Sequence, residues 1–272
     1  MQKRLPNMPA AQGLAVIALC TLLSSASLGA DPVAKIAKAS SAKSGKSHPL
    51  ETPLELVRSS LKSISAVQDY QATFIKKEIV RGVMYPHHTL LKFRPKPHSV
   101  YMFYLKLHQG REVIYVEGRN DNMIVAHETG IAGLIGAIKI APTSATAMAE
   151  GTNPITRIGM AKMAEGVIDQ WERELPYDDI DVKYYPNAKL GDRPCQVIQS
   201  TYLAPRKQFK YHMTRLYLDK ETNFPVRVEQ YGFPSSQNQK PPLAGEWTYK
   251  DIKVNVGFQN IDFDPANPKY NY

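Results

Sequence analysis

Cysteine is scarce in this chain. Only two of the 272 residues are cysteine, and Cys20 lies in an apolar N-terminal segment that we expect to be removed. Cys195 then stands alone, which excludes an internal disulfide, and no paired-cysteine spacing of the kind that holds zinc is present. We interpret Cys195 as a small residue of a strand and not as a nucleophile.

Catalytic and metal-binding motifs are also missing. The seven histidines include no HxH or HExxH spacing, and the adjacent His87 and His88 would point to opposite faces of a strand, which makes a poor chelate. His127 and Glu128 are adjacent, but no nucleophile motif accompanies them. We therefore predict no metal, no cofactor and no enzymatic activity, with an envelope hydrolase as a lesser alternative.

The excess of basic residues is unevenly distributed. The formal net charge is +9, but residues 1–47 hold six cations against one anion and so contribute +5 of it. Residues 48–272 carry only the remaining +4, without a basic stripe or a recognition helix. This distribution argues against nucleic acid as a partner.

The N-terminus has the pattern of a secretory signal peptide. Two basic residues precede an apolar run at 14–23, and small residues suitable for cleavage follow. The next segment is rich in Ala, Lys and Ser and lacks aromatic residues, which is typical of a disordered linker. We predict a protein exported to the periplasm or cell envelope, with a signal peptide at 1–30, a linker at 31–47 and a single domain at 48–272.

Two segments have the amphipathic periodicity of helices. Thr52 to Glu55 reads as a capping box with Pro53 at the first helical position, and the periodicity predicts a helix that ends near Ala66. Asn153-Pro154 is a second start signal, for a helix that ends before Pro176.

Most of the remaining chain is typical of strands joined by short turns. In the stretch 90–118, three extended segments are separated by Pro95 with Pro97 and by Gln109-Gly110. Similar signals on both sides of the second helix give about ten or eleven strands, and such short connections favour antiparallel pairing. We predict an α+β fold with one strongly curved antiparallel sheet, an incomplete barrel whose concave side is covered by the helices.

Residues 130–151 differ from the rest of the chain. They are apolar but small and flexible, and Gly130, Gly133 and Gly136 disfavour a long helix. Long irregular connections often form lids or binding loops. Two interpretations stay open: a lid over an apolar cavity, and an ordinary connection packed against the core.

Several stretches resemble a bacterial family, the domain of unknown function 1571 (DUF1571). They are Asp69–Phe74, Arg94–Met102, Gly110–Gly118, Ala126–Gly130 and Asn255–Phe258 with Asp262–Asp264. Leu91–Pro95, followed by an aromatic strand and a glycine hairpin, is also similar to the early sheet of the LolA/LolB-type lipoprotein carriers. That similarity implies an incomplete barrel with helices as a lid and an apolar cavity for acyl chains.

Candidate site residues follow from this resemblance. The expected cavity walls are strand aromatics and the apolar residues of 130–151, namely Phe93, Tyr101, Phe103, Tyr115, Leu134, Ile135 and Ile138. For the strand residues the alternative is plain sheet core, and because both faces of 99–105 are apolar, alternation does not decide which face lines a cavity. Arg94 and Arg111 are candidates for an anionic head group, the alternative being a pair with a nearby carboxylate.

We therefore expect an exported, monomeric, non-catalytic binding protein. Its cavity would hold a lipid, an acyl chain or a lipoprotein anchor, and an envelope protein is a further candidate partner. The alternative is an interaction or scaffold domain of the envelope with a filled core and no ligand.

Overall fold

The computed structural model describes residues 47–236 and 239–272. An eleven-stranded antiparallel sheet dominates this part of the chain, and two α-helices pack on one face of the sheet. Residues Ser47–Tyr272 form one compact unit. The predicted signal peptide and nearly all of the predicted linker lie outside the described residues.

The sheet is open and curved. Helix α1 is Glu51–Ser65 and helix α2 is Met160–Glu174. The strands are β1 (Tyr70–Val80), β2 (Val83–Arg94), β3 (Ser99–Lys106), β4 (Glu112–Val116), β5 (Ile124–His127), β6 (Ile138–Ile140), β7 (Ile180–Leu190), β8 (Arg193–Tyr202), β9 (Met213–Asp219), β10 (Pro225–Tyr231) and β11 (Leu243–Val254). Their order in the sheet is β6-β5-β4-β3-β2-β1-β11-β10-β9-β8-β7, with β6 and β7 at its ends. The predicted fold class and strand number are confirmed.

Strand β2 continues through Pro86, a residue that the sequence predicted to end a strand. Pro86 is opposite Lys77 of β1, whereas β2 pairs with β3 only from His88 onward. On the β3 side, the position of Pro86 therefore needs no backbone N–H for the ladder, and the ring is tolerated there.

Helix α1 begins at Glu51, within two residues of the predicted start. Leu50 occupies the N-cap, no side chain caps the helix, and Thr52 lies in the first turn instead of preceding it. The backbone N–H of Leu50 donates to Nδ1 of His48 at 3.1 Å. At the N-terminus of α1, His48 therefore takes the place of Thr52 and satisfies a free backbone N–H, that of Leu50.

Helix α2 begins later than its start signal predicts. A short 3-10 helix, Ile155–Arg157, follows Asn153, and α2 starts only at Met160. Between them Gly159 has a φ of 130°, and a Cβ at this position would lie 2.7 Å from the ring of Phe93. Only glycine lets the backbone approach that ring in this conformation, so the helix starts after it.

Trp171 anchors α2 to the sheet. Its side chain is fully buried, and its indole N–H donates to the hydroxyl of Ser200 in β8 at 3.0 Å. Cys195 of the same strand is buried with a free thiol, as predicted. The apolar contacts of α2 and the satisfied indole fix the helix over this half of the sheet.

The opposite face of the sheet is covered by the C-terminal segment. Phe263 is buried there, and the partly buried aromatic rings of the segment pack with it on strands β3 and β4. The participating residues are Tyr101, Phe103, Ile114, Val116, Phe258, Phe263, Tyr270 and Tyr272. Strands β3 and β4 are therefore apolar on both faces because both faces are covered.

Replacing Trp171 with alanine should lower the free energy of unfolding by about 3–5 kcal/mol, because a large buried ring and its hydrogen bond are lost. Urea denaturation measures this change. Glu172→Ala is the matched control in the same helix, since Glu172 only pairs with the exposed Arg58 and its removal should cost less than about 1 kcal/mol. Equal effects of the two substitutions would contradict the anchoring role.

Candidate ligand-binding cavity

A cavity of about 400 Å³ lies between α2 and the central strands of the sheet. Its walls come from β1, β2, β3, β10 and β11 on the sheet side and from α2 with its preceding residues on the other, and the connection between β8 and β9 contributes Gln208, Lys210 and Tyr211. The apolar part of the lining includes Phe74, Met102, Met163, Val167, Val228 and Trp247. This volume falls within the range of about 300–1,000 Å³ that is usual for small-molecule sites.

The cavity remains open partly because Gly166 of α2 lines it. A Cβ at this position would meet only the Nη2 atom of Arg157, at the ordinary contact distance of 3.7 Å. Its backbone is not in the left-handed region, so nothing in the helix itself requires glycine here. The missing side chain leaves space directly opposite the sheet.

The charged residues of the cavity lining are mainly cationic. They are Lys76, Arg157, Lys162, Arg173 and Lys210 against the single carboxylate of Glu174. Lys76 and Lys162 have carboxylate partners at 3.0 and 2.9 Å. Arg173 and Lys210 are exposed and form no ion pair with any residue in the described ranges. The cavity therefore combines apolar walls with two free cations.

Glu174 is the exception in this basic lining. It is almost fully buried, and Gln170 donates to its Oε1 atom at 3.1 Å. Burial raises the pKa of Glu174 to about 7, because the charged form loses its hydration. Near neutral pH this carboxyl therefore exists as a mixture of its neutral and charged forms.

The strand aromatics predicted as cavity walls do not line this cavity. Phe93 and Tyr115 are buried in the core on the helix side of the sheet, where Phe93 lies beneath Gly159. Tyr101 and Phe103 are on the opposite face, under the C-terminal segment. The alternation in β3 places Met102 and Tyr104 at the cavity instead. None of the four predicted strand aromatics therefore lines this cavity, because the orientation of β3 and the position of α2 place other side chains there.

The predicted apolar residues of 130–151 are exposed. Residues Gly130–Ile135 form a 3-10 helix at the β6 end of the sheet, and the side chains of Leu134, Ile135 and Ile138 are 86%, 79% and 39% exposed. None of the three lines the cavity described above. This part of the segment is therefore not a lid in this structure, because it lies at an outer strand and not over α2.

Neither of the two predicted head-group arginines lines the cavity. Arg94 donates to Asn260 and Ser99 and stacks over the ring of Phe263. Arg111 lies with its Nε atom 2.6 Å from a carboxylate oxygen of Glu128. Arg111 therefore pairs with a nearby carboxylate, which was the alternative to binding a head group.

The hydrolase arrangement is not formed among the described residues. Glu128 is engaged by Arg111 and not by His127. The Nδ1 atom of His127 is buried without a hydrogen-bond partner in this part of the chain, and its ring lies next to that of Tyr272. His127 is therefore not oriented by Glu128, as the general base of that arrangement would be.

Three residues that sequence reasoning did not combine meet beside the cavity. Nε2 of His87 in β2 lies 3.0 Å from Oε2 of Glu150, and Nε2 of His108 lies 2.8 Å from Oε1. Burial, followed by the charge of Lys76, lowers the pKa of His87. Burial opposes ionisation of Glu150, but the hydrogen bonds from the two imidazoles outweigh it and lower its pKa. The carboxylate therefore faces two imidazole nitrogens at once.

Comparison with known families identifies the chain. Residues 67–272 match the family described as "Protein of unknown function (DUF1571)". The chain belongs to this family. The match extends over most of the sequence and confirms the resemblance found there. Among curated proteins, this DUF1571 protein has no match.

Solved structures with a similar arrangement differ widely from this DUF1571 protein in sequence. Lipoprotein LppX from Mycobacterium tuberculosis is 12% identical, with 78% of this chain and 97% of that chain covered and a TM-score of 0.44. LprF from Mycobacterium bovis is 8% identical, covering 78% and 97%, with a TM-score of 0.42. A LolA superfamily protein from Nitrosomonas europaea is 10% identical, covering 76% and 97%, with a TM-score of 0.30. Within its described residues, the DUF1571 protein contains no helix of the length and apolar character needed to cross a bilayer.

The stability of this DUF1571 protein should depend on pH through Glu174. Its pKa rises from an ordinary 4.5 to about 7 on folding, so the folded chain keeps a proton that the unfolded chain releases between these values. The stabilisation is complete below about pH 4.5 and is lost as pH rises through 7. Each pKa unit corresponds to about 1.4 kcal/mol, so the change amounts to about 3 kcal/mol.

Urea denaturation of wild type and Glu174→Gln across pH 4–8 measures this effect. The difference in unfolding free energy between the two proteins should shift across the window, since other titrating groups are common to both. The exposed neighbour substitution Glu172→Gln is the control, and it should change the free energy of unfolding by less than about 1 kcal/mol, since it removes only the exposed pair with Arg58. A constant difference for Glu174→Gln would show that Glu174 titrates normally.

Proposed function

We propose that this protein binds an amphiphile non-catalytically and holds its apolar chain in the cavity under α2. A lipid, an acyl chain or the anchor of a lipoprotein would be suitable ligands. The observation that carries the proposal is the cavity of about 400 Å³ with apolar walls between sheet and helix. Burial of an alkyl chain there would release about 0.8 kcal/mol per methylene group.

The charges at the cavity favour an anionic head group on that amphiphile. Arg173 and Lys210 line the cavity and are exposed, so they can approach a carboxylate or phosphate without breaking an ion pair within the described residues. Arginine and lysine both bind such oxyanions through charge-assisted hydrogen bonds. In this proposal Arg173 and Lys210 replace Arg94 and Arg111 as the candidates for binding the head group.

Function in the cell envelope is supported by the N-terminal sequence. A basic start, an apolar run at 14–23 and small residues up to Ala30 form the pattern of an exported precursor. A carrier of apolar chains would act between membranes or beside one, where such chains cannot diffuse freely through water.

A second function, an interaction domain of the envelope, is favoured by one observation. Ile131, Leu134 and Ile135 are each at least 79% exposed on a short 3-10 helix beside β6. Clustered exposed apolar residues often mark contact sites for proteins or membranes. This role differs from the first because it predicts crosslinks to a partner from the β6 end of the sheet and no bound chain.

Filling the cavity should abolish binding of the chain. Gly166→Phe places a ring in space that the glycine leaves empty, where the first contact is an ordinary one with Arg157. We expect the affinity for a fluorescent fatty acid to fall by roughly tenfold or more, corresponding to at least about 1.4 kcal/mol. Fluorescence titration measures the affinity, and native mass spectrometry of the purified proteins detects chains that copurify.

Gly166→Ala is the matched control for this experiment. Its methyl group leaves most of the cavity open, and alanine raises helix stability by up to about 1 kcal/mol over glycine. It should bind like wild type. The proposal fails if folded Gly166→Phe binds the fatty acid as wild type does, or if wild type binds none.

Removing the two free cations should weaken binding of charged ligands selectively. In Arg173→Ala/Lys210→Ala the affinity for palmitate should fall roughly tenfold, since each exposed cation contributes at most about 1 kcal/mol. Binding of methyl palmitate, which carries no charge, should be unchanged. Lys139→Ala on β6 removes a cation outside the cavity lining and should affect neither ligand. Equal losses for palmitate and its methyl ester would contradict recognition of the head group.

A further inference from the structure

We propose that His87, His108 and Glu150 form a binding site for one divalent first-row transition metal ion, with zinc as the best match. Nothing in the family description assigns such a site, and it is independent of the proposed ligand in the cavity. One ligand atom from each residue lies within 4.8 Å of the others. The three come from β2, from the β3–β4 turn and from the segment after β6.

The distances suit a shared ion after a small adjustment. Both Nε2 atoms lie about one hydrogen bond from the carboxylate of Glu150, at 3.0 Å for His87 and 2.8 Å for His108. Ligand atoms on one tetrahedral zinc ion, at about 2.1 Å from the metal, are roughly 3.4 Å apart. The two contacts with Glu150 therefore need to lengthen by about half an ångström for an ion to enter between them, and the two imidazole nitrogens lie within 4.8 Å of each other.

The donor set selects the class of metal. Two imidazole nitrogens and one carboxylate oxygen form a set of three protein ligands that leaves a fourth position open for water, an arrangement typical of zinc. Calcium and magnesium prefer sites made only of oxygen atoms. Imidazole ligands favour zinc, copper, nickel or cobalt over these harder cations.

Neighbouring charges leave the carboxylate of Glu150 available. Arg111 lies 2.6 Å from Glu128 but 3.7 Å from Glu150, so its main partner is Glu128. Lys76 lies 3.0 Å from Glu78 and contacts only the main-chain oxygen of Glu150. Each nearby cation thus has its own carboxylate, and the charge of Glu150 faces the two imidazoles.

The backbone around the site directs its side chains toward one another. Leu107 and His108 both have positive φ values, of 52° and 65°, a conformation that is uncommon for residues other than glycine. Just before them, the β2–β3 ladder shifts register between His88 and Thr89. Such irregularities recur where a fold has to aim a side chain at a functional position. Here they bring His108 to Glu150.

Access to the site is one-sided. The side chain of His87 is only 5% exposed, whereas those of His108 and Glu150 are 31% and 27% exposed. An ion can therefore arrive from solvent on the side of His108 and Glu150 and be held by a buried imidazole behind them.

Metal titration of the purified full chain tests this proposal. We expect isothermal titration with zinc chloride to give one ion per chain, and cobalt(II) to develop visible absorption bands of a four- or five-coordinate ion. His108→Gln and Glu150→Gln should each weaken zinc binding by about 100-fold. Changes to residues that only support a metal ligand already cost about 10- to 100-fold, and these two residues are ligands themselves. Both residues are partly exposed, so these variants should fold, and circular dichroism checks this.

His88→Gln is the matched control, because His88 is adjacent to His87 in β2 but is not in the cluster. It should bind zinc like wild type, and zinc should raise the melting temperature of both but not of Glu150→Gln. Absence of zinc binding to wild type would overturn the proposal. Binding that persists unchanged in folded His108→Gln and Glu150→Gln would overturn it equally, since the ion would then lie elsewhere.

Discussion

The buried carboxylate of Glu78 is the constraint on which much of this structure depends. Its side chain is fully buried in β1, where the Nζ atom of Lys76 lies 3.0 Å from it. Thr152 and Asn153 donate to its other oxygen. A buried carboxylate without such partners would be strongly unfavourable. The segment that leaves the edge of the sheet after β6 returns to β1. There Thr152 and Asn153 supply the remaining hydrogen bonds of the Glu78 carboxylate.

That return fixes both candidate sites. Gly151 packs so closely on the ion pair that a Cβ there would lie 2.7 Å from Nζ of Lys76, which also donates to the main-chain oxygen of Glu150 at 3.3 Å. Upstream of this point the chain presents the carboxylate of Glu150 to the two imidazoles. Downstream it leads through the 3-10 helix into α2, which covers the cavity. One buried ion pair thus sets the position of the cavity roof and of the third metal ligand.

The fold was predictable from the sequence because its signals are local. Turn residues such as Arg81-Gly82 and the amphipathic pattern of α1 determine where elements begin and end, and short connections make the sheet antiparallel. The cavity was not predictable in the same way. Tyr101 and Met102 are both apolar, and which of them faces α2 depends on the C-terminal segment that covers the other face. The importance of Gly166 becomes apparent only once the rotation of α2 is known.

The metal cluster and the cavity share one position in the sheet. Lys76 and His87 are direct cross-strand neighbours, and both line the cavity. The proximity of His108 to His87 follows from the β2–β3 hairpin, because the short connection of this hairpin fixes its register. Glu150 comes from a segment without periodicity, so its position beside the two histidines could not be predicted from the sequence. The adjacency of Lys76 and His87 therefore places the cavity wall and the proposed metal cluster on the same pair of strands, β1 and β2.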